Sequence, residues 1–432
     1  MGLKNDLTTD VLTAARERTA YAFDHFDKVA VSFSGGKDST VMLHLAMDEA
    51  IKRGRKVGVL IVDLEAQYTA TVEHLTRTVE EYAEHIDLHW CAFPMSLRNG
   101  VSNYEPKWMA WDPAKEGAWI RPLPPQAHEQ YDWYQPGMEF EEFIVLWAEW
   151  YADGGSLAQL VGIRADESLN RFRTIASRDK AMHDGKSWTT RITGGAYNVY
   201  PIYDWRTEDI WRYHAIEPDR TQNSVYDLMH KAGVPISKQR LCQPYGDDQR
   251  QGLWLYHVLE PDTWAKLIGR VNGANSGALY INESGNMTGY RKITKPEGHT
   301  WKSFVHLLLA SMPEVTRDHY TERFKGFIRG WKARGYGEIP DEAPKVLEDA
   351  HWAPSWRRMC KVLLRNDWWC KGLGLTQPRS DAYGVYLEVK KARKADAARE
   401  AALRAEVEWL SRPVDPITNT VELFTLGDTP HD

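Results

Sequence analysis

Residues 28–47 read KVAVSFSGGKDSTVMLHLAM, and no other stretch constrains the fold as tightly. A β-branched apolar run (Val29, Ala30, Val31) ends at Ser32 and Phe33. Ser34-Gly35-Gly36-Lys37-Asp38-Ser39-Thr40 follows, and then an apolar helical pattern at Val41, Met42, Leu45 and Ala46. Strand, glycine turn and helix N-terminus in that order form an anion site. The glycines let backbone amides approach a phosphate, while Ser34, Ser39 and Thr40 add hydroxyls and Lys37 a positive charge. Asp38 is expected to order the loop by accepting from backbone amides. The glycine-to-lysine spacing is not that of the Walker loop. An ordinary glycine turn before a helix is the blander alternative.

Two further strand ends carry polar residues. The continuous apolar run 57–62 reads as a strand buried on both faces, as in a parallel sheet, and leads into Asp63-Leu64-Glu65. A carboxylate there can hold a ribose hydroxyl or a magnesium ion on the phosphates, or simply cap a helix. The run 157–163 reads as another strand and continues as Gly162-Ile163-Arg164-Ala165-Asp166-Glu167-Ser168-Leu169-Asn170-Arg171-Phe172-Arg173. Arg164, Arg171 and Arg173 can supply guanidinium forks to phosphate, and Glu167 can orient an arginine or act as a base. A helix start laced with i,i+4 ion pairs explains the same residues.

The remaining periodicity places helices at 7–26, 71–86 and 139–151, a third strand at 88–93 and a shorter one at 197–203. A helix is expected to begin at Thr207 as N-cap, with Glu208 and Asp209 in its first turn. The alternation is that of an α/β, doubly wound, mostly parallel sheet. Residues 96–135 are rich in Pro, Trp and Gly and read as an irregular insertion overhanging the site. The expected organisation is a nucleotide-binding domain over 1–236, a mainly helical extension over 237–412 and a flexible tail over 413–432. Helices are expected near 252–256, 261–271, 302–311 and 314–334, and a solvated charged helix over 387–410.

The 432 residues carry a net charge of −6, which gives no general pull toward nucleic acid or an anionic membrane. No apolar run reaches membrane-spanning length, and the N-terminus lacks the apolar core of a secretion signal. The four cysteines, Cys91, Cys242, Cys360 and Cys370, form neither a disulfide framework nor a zinc pattern. A cytoplasmic location is expected.

SFSGGKDS, VDLEAQYTATVEHL, GIRADESLNRFR and YPIYDWRTEDIWRY stand in the order found in the phosphoadenosine phosphosulfate (PAPS) reductase-like branch of the PP-loop ATP pyrophosphatases, which the chain resembles. The resemblance covers roughly residues 29–234. It implies an adenine nucleotide alpha-hydrolase-like fold, with ATP or PAPS as the nucleotide, together with Mg2+. It further implies that Ser34, Gly35, Gly36, Lys37, Asp38, Ser39 and Thr40 cradle phosphates. Asp63, Leu64, Glu65 and Gly162 would lie at the nucleotide, Asp63 also serving as the metal ligand. Lys37, Arg164, Glu167 and Arg171 would face its reactive end. The later chain, including RLCQPYGDDQRQGLWLYHVLEP, resembles the C-terminal extension of one subgroup, in which a ParB/sulfiredoxin-like protein is often the partner.

One departure matters. Sulfonucleotide reductases of this branch carry a cysteine on a C-terminal tail, and this chain has none beyond Cys370. The thiolate set of an iron–sulfur cluster is also missing from the sequence, so no such cluster is expected. Cys242, beside a polar turn, is the thiol to consider for chemistry; a buried structural role is its alternative. Three functions follow as expectations. One is an ATP pyrophosphatase or adenylyl transferase that releases pyrophosphate; another is a sulfonucleotide enzyme using an external thiol. The third is a nucleotide-gated protein acting on nucleic acid with a partner.

Overall fold

The structure is a computed structural model that describes residues 9–128, 130–177, 179–246, 253–274 and 293–410. The expected tail, 413–432, lies outside the described residues. Two compact units result, Met1–Ser380 and Asp381–Asp432.

The first helix, α1 (Val11–His25), starts later than its pattern because Asp10 caps it, accepting from the amides of Leu12 at 2.9 Å and Thr13 at 3.0 Å. Strands β1 (Lys28–Ser32), β2 (Val57–Val62) and β3 (Ile86–Cys91) alternate with α2 (Lys37–Arg53) and α3 (Thr69–Glu81). After β3 the chain forms an antiparallel pair, β4 (Met95–Arg98) with β5 (Lys107–Ala110). The expected irregular insertion is therefore partly regular, a two-stranded ribbon followed by a 3-10 turn at Pro113–Ala118. Helix α4 (Phe140–Ala152) leads to β6 (Leu157–Leu160), then α5 (Leu169–Ala176), β7 (Thr189–Thr193) and β8 (Ala196–Val199).

The main sheet has the order β3-β2-β1-β6-β8-β7. All its neighbours are parallel except β7 with β8. The chain runs outward from β1 to β3 and then returns to β6 on the other flank of β1. That reversal opens a crevice beyond the carboxyl ends of β1 and β6, the place where such sheets bind ligands. The core beneath is aliphatic, with Val29, Val31, Val59, Ile61, Ala158 and Leu160 each at most 1% exposed. Strand β7 had no clear pattern in the sequence, because Thr190, Arg191 and Ile192 lie on a half-exposed edge.

Helix α6 (Thr207–Ile216) corrects the expected cap by one residue. Arg206 is the N-cap, and its amide donates to Asp209 at 2.8 Å. Helix α7 (Val225–Lys231) completes this layer. Helices α8 (Trp254–Leu259) and α9 (Pro261–Arg270) precede a second core built on α10 (Trp301–Ser311), α11 (Glu314–Ala333), α12 (Lys345–Asp349) and α13 (Trp356–Leu364). Trp301, Tyr320, Phe324, Phe327 and Trp368 fill it, so these aromatics serve packing. This region is tied to the insertion: Arg98 lies over the Trp368 ring at 5.1 Å, and Asn366 donates to the Gly100 carbonyl at 3.5 Å. In the second unit α14 (Asp381–Leu410) is exposed from residue 390 to 405, as a solvated helix should be. Among the described residues no helix is long and apolar enough to cross a membrane.

Candidate nucleotide site

The loop between β1 and α2 has a left-handed residue where the turn demands one. Gly35 adopts φ +72°, and a Cβ there would lie 3.0 Å from Thr71 Cγ2. Gly36 is the N-cap of α2 and supplies no side-chain cap, and the positive end of the helix lies at the loop. The Ser34 and Ser39 hydroxyls stand 3.1 Å apart, and Ser39 also donates to the Gly36 carbonyl at 3.0 Å. Thr40 points elsewhere: its hydroxyl meets the Gly36 carbonyl at 2.9 Å and His74 Nε2 at 3.0 Å. Of the expected cradle, Thr40 and Gly35 therefore shape the loop, and Ser34, Gly36, Lys37, Asp38 and Ser39 line the cavity above it.

That cavity encloses about 590 Å³. Gly162 stands on the far side of the loop, and a Cβ on it would come within 3.0 Å of the Asp38 carbonyl carbon and oxygen. Glycine is thus what lets the β6 end approach the loop. Asp38 does not accept from loop amides as expected. Its carboxylate bridges two cations, Lys37 Nζ at 3.0 Å and the buried Arg164 guanidinium. Glu167 in turn pairs with Arg171 and stands 3.6 Å from Arg164. Glu167 thus stands between two guanidinium groups, of which Arg171 lines the cavity and Arg164, 2% exposed, is buried behind it. Ser168 caps α5 by accepting from the Arg171 amide at 3.2 Å, which fixes where Arg171 emerges. Burial, and next the nearby Arg240 charge, hold the Arg171 pKa below its ordinary value.

The opposite wall is apolar: Leu60 and Val62 from β2, Phe140 and Ile144 from α4, Val161 and Ile163 after β6. Cationic polar groups and apolar side chains lining one cavity suit a phosphate chain joined to a heterocycle. Sequence reasoning missed Phe140, Ile144, Tyr226, Arg240 and Leu241, all of which line it. Helix α4 is apolar over most of its surface, so nothing in its pattern separates a ligand wall from a core face. The Tyr226 hydroxyl accepts from the Lys37 amide at 3.0 Å, a contact 189 residues away in sequence. Cys242 also lines the cavity and is exposed, whereas Cys91, Cys360 and Cys370 are buried. Burial pushes each of those three thiols up to about 12.

The end of β2 departs from expectation. Asp63, 1% exposed, has its carboxylate taken by Trp90 Nε1 at 2.8 Å, the Glu65 amide at 3.0 Å and the Arg121 guanidinium. Glu65, 0% exposed and at φ +65°, is held by Arg270 Nε at 2.8 Å and Nη2 at 3.0 Å. It also accepts from the amides of Trp111 at 2.7 Å and Ile120 at 3.2 Å. Asp63, Leu64 and Glu65 are absent from the cavity lining, which takes Leu60 and Val62 of the same strand instead. The expected metal role of Asp63 does not fit: its oxygens are engaged, and no cluster of three or more His, Cys, Asp or Glu suited to a metal occurs among the described residues.

A family model described as phosphoadenosine phosphosulfate reductase domain matches residues 28–229. A domain of unknown function, DUF3440, matches residues 233–353. The Escherichia coli (strain K12) protein described as uncharacterized protein YbdN is 42% identical over 399 residues, covering 91% of this chain and 97% of that protein. Sulfate adenylyltransferase subunit 2 of Photobacterium profundum is 26% identical over 197 residues, 44% of this chain and 58% of that protein. Among solved structures, the Candida glabrata FMN adenylyltransferase with FAD and inorganic pyrophosphate gives a TM-score of 0.30 at 11% identity, over 51% of this chain and 64% of the other. The phosphoadenylyl-sulfate reductase of Candida auris gives 0.29 at 12% identity, over 52% and 94%.

Proposed function

The chain belongs to the phosphoadenosine phosphosulfate reductase domain family and carries a DUF3440 domain behind it, and from that premise we propose that it cleaves ATP between the α and β phosphates and transfers the adenylyl group to an acceptor. The observation that carries the reading is the mixed lining of the cavity, with the hydroxyls and cations of the loop beside apolar side chains of β2, α4 and the β6 end. The adenine lies against Phe140 and Ile144. Pyrophosphate is held by Ser34, Gly36, Lys37 and Ser39, at the positive end of α2. An acceptor oxygen forms a bond to the α-phosphorus, the bond from that phosphorus to the bridging oxygen breaks, and pyrophosphate leaves with the electron pair. Arg171, oriented by Glu167, stabilises charge on the α-phosphoryl group, and the buried Arg164 holds Asp38 beside Lys37. Such catalysis rests on positioning and electrostatics. Because Asp63 is closed to a metal, no step is assigned to a protein-bound ion. The name of the Photobacterium profundum relative, an adenylyltransferase subunit for sulfate, supports adenylyl transfer.

The test is product identity. Purified protein with magnesium and ATP should release pyrophosphate, with AMP as the other product when water is the acceptor, and Lys37→Ala with Ser39→Ala should lower the rate about 100-fold or more. Exclusive formation of ADP sinks the reading. A second reading is favoured by Cys242, the exposed thiol on the cavity wall: a sulfonucleotide enzyme assisted by an external thiol. Tighter binding of PAPS than of ATP, with sulfite released on adding thioredoxin, would select it.

A further inference from the structure

The DUF3440 match begins at residue 233, yet Arg240, Leu241 and Cys242 stand in the wall of the cavity. The charges there are unevenly paired. Lys37 and Arg164 share Asp38, and Arg171 pairs with Glu167. Arg240 has no carboxylate partner among the described residues; its Nη2 donates to the Glu167 main-chain carbonyl at 2.9 Å. A neutral carbonyl fixes the guanidinium plane without cancelling its charge, so the rest of the fork stays available for an anion. Arg240 also faces Arg171, and a bound anion would relieve that repulsion between like charges. Tyr226 stands beside the same space. Its oxygen is occupied by the Lys37 amide, which leaves the hydroxyl proton to donate into the cavity. Burial raises the Tyr226 pKa further above its ordinary value, so that proton is retained.

We propose that Arg240 is a ligand of the nucleotide's phosphate chain, and that the C-terminal domain is thereby built into the nucleotide site. The proposal rests on the reading of the cavity as a nucleotide site, and its test separates the two. Arg240→Gln in the full chain removes the charge and keeps an N–H donor on a shorter side chain. Calorimetric titration with ATP, inorganic pyrophosphate and adenosine, in magnesium, compares it with the native chain. Affinity for ATP and pyrophosphate should fall about tenfold or more, and affinity for adenosine should stay within about twofold. Arg240→Lys, which keeps a point charge without the fork, should fall between. Unchanged ATP affinity in Arg240→Gln overturns the proposal, as does an equal loss for adenosine. If the native chain binds pyrophosphate through Arg240 but forms no AMP, this proposal stands and the catalytic reading falls. If AMP forms and Arg240→Gln binds ATP normally, the reverse holds. Binding of neither ATP nor pyrophosphate by the native chain removes both.

Discussion

The carboxyl ends of β1 and β2 lie side by side, and both lead into acidic residues. After β1, Asp38 is partly exposed in a cavity and shares its charge with Lys37 and Arg164. After β2, Asp63 and Glu65 are sealed beneath the insertion and the C-terminal region by Arg121 and Arg270. One strand end is a binding site and its neighbour is a fastening. The difference lies in what covers them. Residues 108–121 lie across the β2 end and supply Trp111, Ile120 and Arg121 to its carboxylates, whereas the β1 end faces the gap that the sheet reversal leaves.

The largest effect expected from breaking this comparison is at Glu65. Its carboxylate and the Arg270 guanidinium are 0% and 1% exposed. Removing one partner of such a pair strands a buried charge at a cost of about 3–5 kcal/mol. Glu65→Ala should therefore lower the denaturant midpoint sharply. Glu65→Leu with Arg270→Met should recover much of the loss, as expected of a fastening; a site residue would instead show an activity defect in a stable protein.

A pH-dependent effect should sharpen the other side. The loop end is backed by buried imidazoles: His74 bonds Thr40, and His44 lies on α2 itself. Burial pulls both from an ordinary 6.5 down to about 3. The unfolded chain takes up these protons below about 6.5, and the folded chain refuses them until about 3. Their contribution is thus complete above pH 6.5 and is lost as the pH falls toward 3, at up to about 1.4 kcal/mol per pH unit for each histidine. Unfolding measured from pH 7 to pH 4 should show this slope, and replacing either histidine by glutamine should flatten it.

How much of this was legible in the sequence follows from where contacts close. The phosphate loop and the Gly162–Arg173 segment were readable because each is one contiguous strand end with its polar residues attached. The order of elements was readable from apolar runs of strand length alternating with helical periodicity. Asp63 and Glu65 were read as site residues because topology alone puts them there. The fastening that removes them depends on Arg270, 205 residues beyond Glu65, and no local pattern announces that pairing. Phe140 and Ile144 belong to a helix whose apolar residues all look alike in sequence, and Arg240 falls in an irregular stretch with no periodicity. Distant residues that meet only through packing stayed invisible, while short motifs with their own backbone geometry did not.

Hydrogen exchange with and without ATP and magnesium tests the contrast between the two strand ends most directly. The account predicts new protection over residues 34–40 and 162–171 on nucleotide binding, with residues 63–67 and 111–121 unchanged. Protection centred on residues 63–67 and 111–121, with none at the loop, would contradict it.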